Sequence, residues 1–203
     1  MKKLLLINTS LNGKQGHSWQ LAEKFVDQLA ASADINVTLR DLDSSNLPHL
    51  SSSEMAAWMT PADERSEQQK ELATISDELV AEIKANDIIV IGMPMYNFGV
   101  PSVFKSWIDR VARAGVTFRY TENGPVGLLE NKKVYVVAAR GGLYQGTPKD
   151  SQTQYLKDVL AFLGMSDVEF VYAEGLNMGP DAANKGFAQA DEKISELIEK
   201  MVA

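Results

Sequence analysis

Short runs rich in apolar residues recur at five places in the chain and are separated by amphipathic stretches with helical spacing. The runs cover residues 4–7, 35–39, 88–91, 133–139 and 168–173. The third run contains no polar residue, which is typical of a strand that is buried on both faces. Strands that alternate with helices in this way predict an α/β fold, in which helices cover both sides of a parallel sheet.

Five parallel strands favour a flavodoxin-like fold, a three-layer αβα sandwich with the strand order 2-1-3-4-5. Ligands bind such sheets at the carboxyl ends of the strands, where the strand order reverses. That point lies between strands 1 and 3, so the loops at 10–18 and 95–99 are expected to line one crevice. The loop that starts at Arg140 follows strand 4 and lies beside them. Because no low-complexity linker interrupts the sequence, we expect a single domain spanning residues 1–203.

The composition excludes several classes of function. The chain carries 20 Lys and Arg against 27 Asp and Glu, a net charge of −7, which argues against nucleic acid or an anionic membrane as the main partner. It contains no cysteine, so disulfides and thiolate catalysis are excluded. The two histidines, His17 and His49, have no carboxylates at metal-ligand spacing, and we expect no metal. The apolar start is too short for a signal peptide or a membrane span, and we expect a cytoplasmic protein.

Two segments lack a regular pattern. Residues 43–63 contain two prolines and five serines, and we expect a loop or short helix of the kind that often forms a lid or an interface. Their apolar residues Met55, Trp58 and Met59 are expected to need cover from substrate or from another subunit. Residues 115–131 predict a second irregular segment.

The loop after strand 1 is rich in hydroxyl groups and glycine and leads into a helix. Exposed N–H groups at the start of a helix bind phosphate. Ser10 and Ser18, together with the N–H groups of Gly16, His17 and Ser18, form a candidate phosphate cradle that needs no lysine or arginine. The spacing is not that of a Walker A loop. A polar loop that only caps the helix fits the same residues.

The loops after strands 3 and 4 suit a planar ring. Gly92 and Pro94 end strand 3, and the backbone that follows offers hydrogen-bond donors beside two aromatic faces. The candidate residues of the two loops are Met95, Tyr96, Asn97, Phe98, Arg140, Gly141 and Gly142. Positive charge or N–H groups beside a flavin would stabilise its anionic reduced form, and glycines allow the backbone to approach a ring closely. An ordinary turn remains the alternative for the two glycines.

Several of these motifs resemble the bacterial FMN-dependent NADH:quinone oxidoreductase/azoreductase family. They are the sequences PMYNF at 94–98, ARAGVTFRYTENGP at 112–125, RGG at 140–142 and AEG at 173–175. The resemblance covers nearly the full chain. It implies a flavodoxin-like fold and a homodimer with active sites at the interface. It also implies one FMN per subunit, NADH as co-substrate, and ping-pong reduction of quinones and cleavage of azo compounds by hydride transfer through FMN N5.

The resemblance also implies which residues bind. The FMN phosphate and ribityl chain would be held by Ser10, Gly16, His17 and Ser18. The isoalloxazine would lie against Met95, Tyr96, Asn97 and Phe98, with Ala139, Arg140, Gly141 and Gly142 along its other edge. Aromatic character and the resemblance make Phe98, Tyr120 and, from the second subunit, Phe162 the candidates around the substrate. Core packing is the alternative for all three, and it fits Phe162 on its apolar helix stripe at least as well.

Two positions depart from the family pattern. The family often carries a hydroxyl residue where this chain has Ala139, and often a serine where it has Gly16. Losing one neutral hydrogen bond costs about 1 kcal/mol, so FMN binding is expected to survive both changes. The motifs do not distinguish NADH from NADPH.

A flavodoxin-type electron carrier is the alternative function. Such a protein would also be acidic and bind FMN, but it would serve a protein partner. Residues 43–63 and 115–131 argue against a carrier because they can build a closed pocket for a small molecule. Turnover of NADH with menadione separates the two, since a carrier shows none without a reductase.

Overall fold

The five strands predicted from the apolar runs are present, and helices lie between them along the chain. A computed structural model describes residues 1–202. In chain order the elements are β1 (Lys2–Asn8), α1 (His17–Ser32), β2 (Ile35–Asp41), α2 (Ser52–Met59), α3 (Glu67–Ala85), β3 (Ile88–Pro94), α4 (Ser102–Val111), β4 (Phe118–Thr121), β5 (Gly124–Gly127), β6 (Lys133–Ala139), α5 (Ser151–Leu163), β7 (Asp167–Ala173) and α6 (Pro180–Val202). A short 3₁₀ turn, Gly13–Gln15, precedes α1.

The main sheet has the order β2-β1-β3-β6-β7, and all of its strand pairs are parallel. Its two faces carry separate apolar clusters. Side chains of α1 and α6 cover one face, and side chains of α3, α4 and α5 cover the other. β3 lies near the centre of the sheet, and every one of its residues is buried. The flavodoxin-like arrangement with a five-stranded parallel sheet is therefore confirmed, and the helices form the two outer layers.

The sequence-based order 2-1-3-4-5 missed two strands. Residues 115–131 are not irregular throughout, because β4 and β5 pair as an antiparallel hairpin outside the main sheet. The strands expected as the fourth and fifth are therefore β6 and β7. The two strands are joined by Glu122-Asn123, because Thr121 pairs with Gly124. Gly124, the first residue of β5, has a φ of +108°, and the Thr121 hydroxyl donates to its carbonyl at 2.7 Å. Asn-Gly is a common hairpin turn sequence, so the signal was present in the chain.

The segment 43–63 contains a short helix that is anchored to the body of the protein. α2 begins with a capping box, in which Ser51 and Glu54 satisfy each other's backbone N–H groups. The buried guanidinium of Arg110 on α4 donates to Glu54 at 2.6 Å and to the carbonyls of Pro48 and His49 at 3.1 and 3.3 Å. This network fixes the segment against α4.

Cover for the apolar residues of α2 comes partly from within the chain. The guanidinium of Arg113 lies 5.3 Å from the ring centre of Trp58, a distance typical of a cation–π contact. Met55 and Met59 remain 45% and 73% exposed. An arginine of the same chain therefore covers part of Trp58, which is only half-buried, and the expected cover from substrate or from another subunit stays a prediction. None of the helices formed by residues 1–202 combines the length and the apolar character needed to cross a membrane.

Candidate functional site

The loops that follow β1, β3, β6 and β7 meet around a cavity of about 300 Å³. The first loop contributes Ser10, Gly16, His17 and Ser18 to its lining. The second and third loops contribute Met95, Tyr96, Ala139, Arg140 and Gly141. A neighbouring cavity of about 740 Å³ shares Met95 and Tyr96 and adds Asn97. The crevice expected at the reversal of strand order is therefore present, and most of the predicted residues line it.

The first loop is held by its own polar side chains. Asn8 at the end of β1 accepts a hydrogen bond from the Ser10 N–H at 3.0 Å, and the Asn8 amide donates to Asp41 at 2.8 Å. The Ser10 hydroxyl in turn accepts from the Asn12 N–H at 3.2 Å. A Cβ atom on Gly16 would lie 2.1 Å from the Ser10 hydroxyl oxygen. Glycine at position 16 therefore allows the start of α1 to approach Ser10 closely.

The N-terminus of α1 has no side-chain cap and no acidic residue in its first turn. Its first helical hydrogen bond runs from the Gln20 N–H to the Gly16 carbonyl at 3.0 Å. The N–H groups of His17, Ser18 and Trp19 therefore lack helical acceptors. The Gly16 N–H was expected to face a phosphate, but it donates to the Gly13 carbonyl at 3.1 Å. The 3₁₀ turn engages that donor, and the remaining N–H groups favour a negatively charged ligand.

The Ser18 hydroxyl tests whether the cavity fits a phosphate. This side chain is 1% exposed, and among residues 1–202 its oxygen has no hydrogen-bond partner. Leaving a buried hydroxyl without a partner is costly, so such a group usually has one. Here it lies in the lining of the cavity, beside the free N–H groups at the start of α1. The Ser18 hydroxyl therefore has a hydrogen bond left to make, and an oxygen of a phosphate group bound in this cavity would accept it.

The second loop forms a tight hairpin turn. The N–H of Tyr96 donates to the Gly99 carbonyl at 3.2 Å, and the N–H of Gly99 donates back to Tyr96 at 2.9 Å. The two residues between them, Asn97 and Phe98, have φ values of +50° and +64°. Positive φ is tolerated by asparagine and is rare for phenylalanine. The turn therefore places Phe98 in a strained conformation, and such strain is concentrated at functional sites.

The turn leaves only part of its backbone open to a ligand. The Met95 N–H donates to the carbonyl of Ala139 on β6 at 3.0 Å, and the Tyr96 N–H closes the turn. The hypothesis that all four residues from Met95 to Phe98 offer donors was therefore too broad, and the N–H groups of Asn97 and Phe98 are the ones without a partner inside the turn. The Phe98 ring is 52% exposed and meets Tyr144 edge-on at 5.7 Å.

In the third loop, the side chain of Arg140 does not have the role that the sequence predicts. Its guanidinium is fully buried and does not offer a free positive charge to the cavity. It donates to the Gln152 amide oxygen at 3.3 Å and to the Thr153 hydroxyl at 2.9 Å. It also pairs with Asp150 and Glu174, each at 3.0 Å. Two carboxylates neutralise the arginine, so its side chain holds the loops together. Its backbone N–H donates to the Ala173 carbonyl at 2.8 Å and is therefore not free for a ligand either.

Asp150, one of the two acidic partners of Arg140, is held in its charged form. Burial alone would raise the pKa of Asp150, but hydrogen bonds from Arg140 and Thr153 outweigh burial and keep that pKa below its ordinary value. Glu174 also accepts from the backbone N–H groups of Tyr144 and Gln145, each at 3.0 Å. The loop after β6 is thus tied to the end of β7.

Residues after β7 complete the wall of the cavity and were missed by the sequence reasoning. The N–H groups of Leu176 and Asn177 donate to the carbonyls of Arg140 and Gly141 at 3.1 and 3.0 Å. Both residues line the cavity, as does Asn12. A Cβ atom on Gly141 would lie 2.6 Å from the Asn177 amide nitrogen, so glycine permits this close packing. The motif at 173–175 was the available signal, because it immediately precedes these two residues.

Four of the predicted residues do not line either of the two cavities, namely Phe98, Gly142, Tyr120 and Phe162. Phe162 packs on Phe118 with ring centres 4.3 Å apart, and Tyr120 meets the same ring edge-on at 5.4 Å. Tyr120 is 74% exposed. Their place around a substrate in a dimer stays a prediction.

His17 and His49 lie in different surroundings. His17 lines the cavity and meets Phe187 of α6 edge-on at 5.2 Å. His49 lies 3.3 Å from the Ser106 hydroxyl through Nδ1. Within residues 1–202 no group of three or more histidines and carboxylates is arranged to hold a metal ion.

Comparison with known proteins gives a consistent result. The sequence model of the flavodoxin-like fold family matches residues 2–198. A protein of Alteromonas mediterranea named FMN-dependent NADH:quinone oxidoreductase is 55% identical over 197 residues, 97% of this chain and 98% of that protein. The chain belongs to the FMN-dependent NADH:quinone oxidoreductase family. A family member of the same name from Dechloromonas aromatica is 53% identical and covers 97% of this chain and 99% of its own.

Solved structures agree with this family. The crystal structure of azoreductase from Bacillus anthracis has a TM-score of 0.88 at 28% identity, covering 98% of this chain and all of that chain. An FMN-dependent NADH-azoreductase from the same species, solved in complex with FMN, has a TM-score of 0.87 at 25% identity, with both chains covered completely.

Proposed function

We propose that this protein is an FMN-dependent NADH oxidoreductase that reduces quinones and cleaves azo compounds. The observation that carries the proposal is the buried, unpartnered hydroxyl of Ser18 at the uncapped start of α1, inside a cavity that a strained aromatic turn borders. Relatives that match nearly the whole chain are named for this quinone reductase activity, and a solved neighbour is an azoreductase in complex with FMN.

Different residues of the chain would hold the phosphate end and the ring end of FMN. Ser10, Ser18 and the N–H groups at the start of α1 would hold the phosphate, with His17 at the edge of the cavity. The open N–H groups of Asn97 and Phe98, together with Tyr96, would meet the ring. When bound, FMN supplies two-electron transfer from NADH to a quinone or azo acceptor.

The other predicted residues contribute backbone and shape. Met95 and Ala139 are hydrogen-bonded to each other, so the second and third loops form one wall for the isoalloxazine. Gly16, Gly141 and Gly142 would let the loops pack closely around the cofactor, because a Cβ atom at these positions would meet Ser10, Asn177 and Tyr144 respectively. The methyl group of Ala139 offers no hydroxyl contact to FMN, and the backbone carries that edge of the site.

We propose further that the protein acts as a homodimer with the substrate pocket at the interface. Tyr120 and Phe98 are 74% and 52% exposed, and a second subunit carrying Phe162 would cover such rings and form an apolar sandwich for a flat substrate. On this proposal residues 1–203 form a single functional domain, and the protein is cytoplasmic. Analytical ultracentrifugation of the FMN-loaded protein tests the dimer, and a monomer at micromolar concentration would contradict it.

The central experiment is a visible spectrum followed by a reductive titration. The purified protein, after incubation with FMN and removal of excess, is expected to be yellow. NADH should bleach it under anaerobic conditions, and menadione or an azo dye should restore the colour with multiple turnovers. A protein that takes up no FMN refutes the proposal. A protein that binds FMN but turns over neither acceptor without an added reductase is an electron carrier instead.

A further inference from the structure

Gln152, in the first turn of α5, is a buried amide that lies behind the ring-facing turn. Its side chain is 0% exposed. The amide nitrogen donates to the carbonyl of Pro94 at 2.9 Å and to the carbonyl of Gly99 at 3.0 Å. Those two carbonyls stand at the two ends of the loop that contains the turn. One side chain therefore fixes the separation of both ends.

The orientation of the Gln152 amide is set by Arg140. A guanidinium can only donate hydrogen bonds, and its Nε lies 3.3 Å from the Gln152 oxygen. The amide oxygen must therefore face Arg140, which directs both amide hydrogens toward the loop. Arg140 is itself fixed by its pairs with Asp150 and Glu174. The buried charge network thus ends on the backbone of the turn.

The neighbouring residue adds a second restraint. The Ser151 hydroxyl donates to the carbonyl of Phe98, one of the two residues with positive φ. Strained backbone of this kind persists only where the surroundings hold it in place. Side chains at the start of α5 therefore hold the carbonyls at Pro94, Phe98 and Gly99.

We propose that Gln152 is a positioning residue, which holds the 94–99 loop in the shape that receives the flavin ring. The inference rests on the proposed function, and it assigns to Gln152 a role at the ring end of the cofactor and none at the phosphate end. Ring-end and phosphate-end effects are separable, because riboflavin has the ring and ribityl chain of FMN but lacks the phosphate.

The test compares two ligands across matched variants. Gln152→Leu removes the acceptor for Arg140 and both donors, whereas Gln152→Glu, studied at pH 8, keeps the acceptor and loses the donors. Loss of two buried hydrogen bonds predicts an increase of about tenfold or more in the dissociation constant of FMN. The constant for riboflavin should rise by the same factor in each variant. Gln154→Leu is the control, since Gln154 is exposed on the same helix and its side chain donates to Asp158, away from the 94–99 loop.

A second readout separates positioning from general stability. If Gln152 sets the loop against the ring, the visible spectrum and midpoint potential of the flavin in Gln152→Glu, fully loaded with FMN, should differ from those of wild type. Urea unfolding of each protein without flavin reports stability independently. If Gln152→Leu does not fold, the Glu variant and Ser151→Ala carry the test, and Ser151→Ala is expected to weaken both ligands to a smaller extent.

The outcomes are distinct. Equal weakening of FMN and riboflavin with a shifted spectrum supports the proposal. Unchanged affinities and an unchanged flavin spectrum in Gln152→Glu overturn it, as does weakening of FMN alone, which would place the effect at the phosphate end. A change in urea stability with unaltered flavin properties also overturns it, because the role is then only structural. A wild-type protein that binds neither flavin instead refutes the proposed function.

Discussion

Replacing Ser18 by alanine should have opposite effects on the protein without flavin and on its complex with FMN. The Ser18 hydroxyl is buried and has no partner within residues 1–202. An unsatisfied buried polar group costs about 1–3 kcal/mol, so its removal should leave the free energy of unfolding of the flavin-free protein unchanged or increase it by up to that amount. Binding of a ligand that accepts a hydrogen bond from this hydroxyl would remove the cost, so the hydroxyl should stabilise only the complex.

The same substitution should weaken FMN. A hydrogen bond to a charged group contributes about 1.5–3 kcal/mol, which corresponds to a roughly 10- to 150-fold increase in the dissociation constant. At saturating FMN, a 100-fold loss of affinity removes about 2.7 kcal/mol of the stabilisation that the ligand provides. Stability in urea should therefore fall in the presence of FMN and not in its absence.

The assay is a urea titration with and without FMN, together with fluorescence titrations using FMN and riboflavin. Riboflavin affinity should be unchanged in Ser18→Ala, because riboflavin has no phosphate for the hydroxyl to contact. Ser32→Ala is a matched control, since Ser32 lies at the other end of α1 and bonds to the Gln28 carbonyl at 3.0 Å. A flavin-free protein that Ser18→Ala destabilises by several kcal/mol, with FMN affinity unchanged, would refute the assignment of Ser18 to the phosphate.

Three further substitutions test other parts of the structure. Tyr96→Pro removes the N–H that closes the turn, and the purified protein should be colourless after incubation with FMN; one that stays yellow contradicts the role of the turn. Phe162→Ala should raise the KM for quinone with FMN content unchanged and, because Phe162 packs on Phe118, should also lower thermal stability; unchanged kinetics would exclude Phe162 from the substrate site. Glu54→Gln breaks the buried pair with Arg110 and should cost about 3–5 kcal/mol in urea unfolding at pH 7. Burial raises the pKa of Glu54, but its hydrogen bonds with Arg110 and Ser51 outweigh burial, so that the pKa lies below its ordinary value. The stabilisation from this pair is therefore present above the ordinary pKa of about 4.3 and is lost as the pH falls through the lower pKa of the folded state. Wild type should lose stability on acidification more steeply than the variant.

Most of the fold could be predicted because apolar patterning is a local property. β6 has the bounds that the sequence predicts, Lys133–Ala139, and the other four strands of the sheet differ by a few residues at their ends. The hairpin of β4 and β5 was missed because its strands are only four residues long. Four residues are too few for the alternation in Phe118–Thr121 to stand out from chance, and the neighbouring Asn-Gly pair was the clearest signal.

The site could be predicted at the level of loops and not at the level of individual donors. Parallel topology brings the loops after β1, β3 and β6 together whatever their detailed conformation. Which N–H groups remain open depends on local turns. The 3₁₀ turn engages the Gly16 N–H, and the pairing with β6 engages the Met95 N–H, so neither is available to a ligand. Leu176 and Asn177 were missed because their part in the site depends on how the chain turns after β7.

Arg140 shows how distant partners reverse a prediction based on charge. From the sequence, an arginine beside a candidate phosphate and flavin site is expected to attract the anionic cofactor with its positive charge. Its acidic partners, Asp150 and Glu174, lie 10 and 34 residues further along the chain, so the sequence does not show that this charge is neutralised. Arg140 is the only lysine or arginine among the described residues that line the cavity. Because the charge of Arg140 is neutralised, the attraction for an anionic cofactor must come from N–H groups at the start of α1 and from the hydroxyls of Ser10 and Ser18. A protein of net charge −7 can therefore hold a phosphate without a free cationic side chain, and the arginine instead serves the shape of the loop that receives the ring.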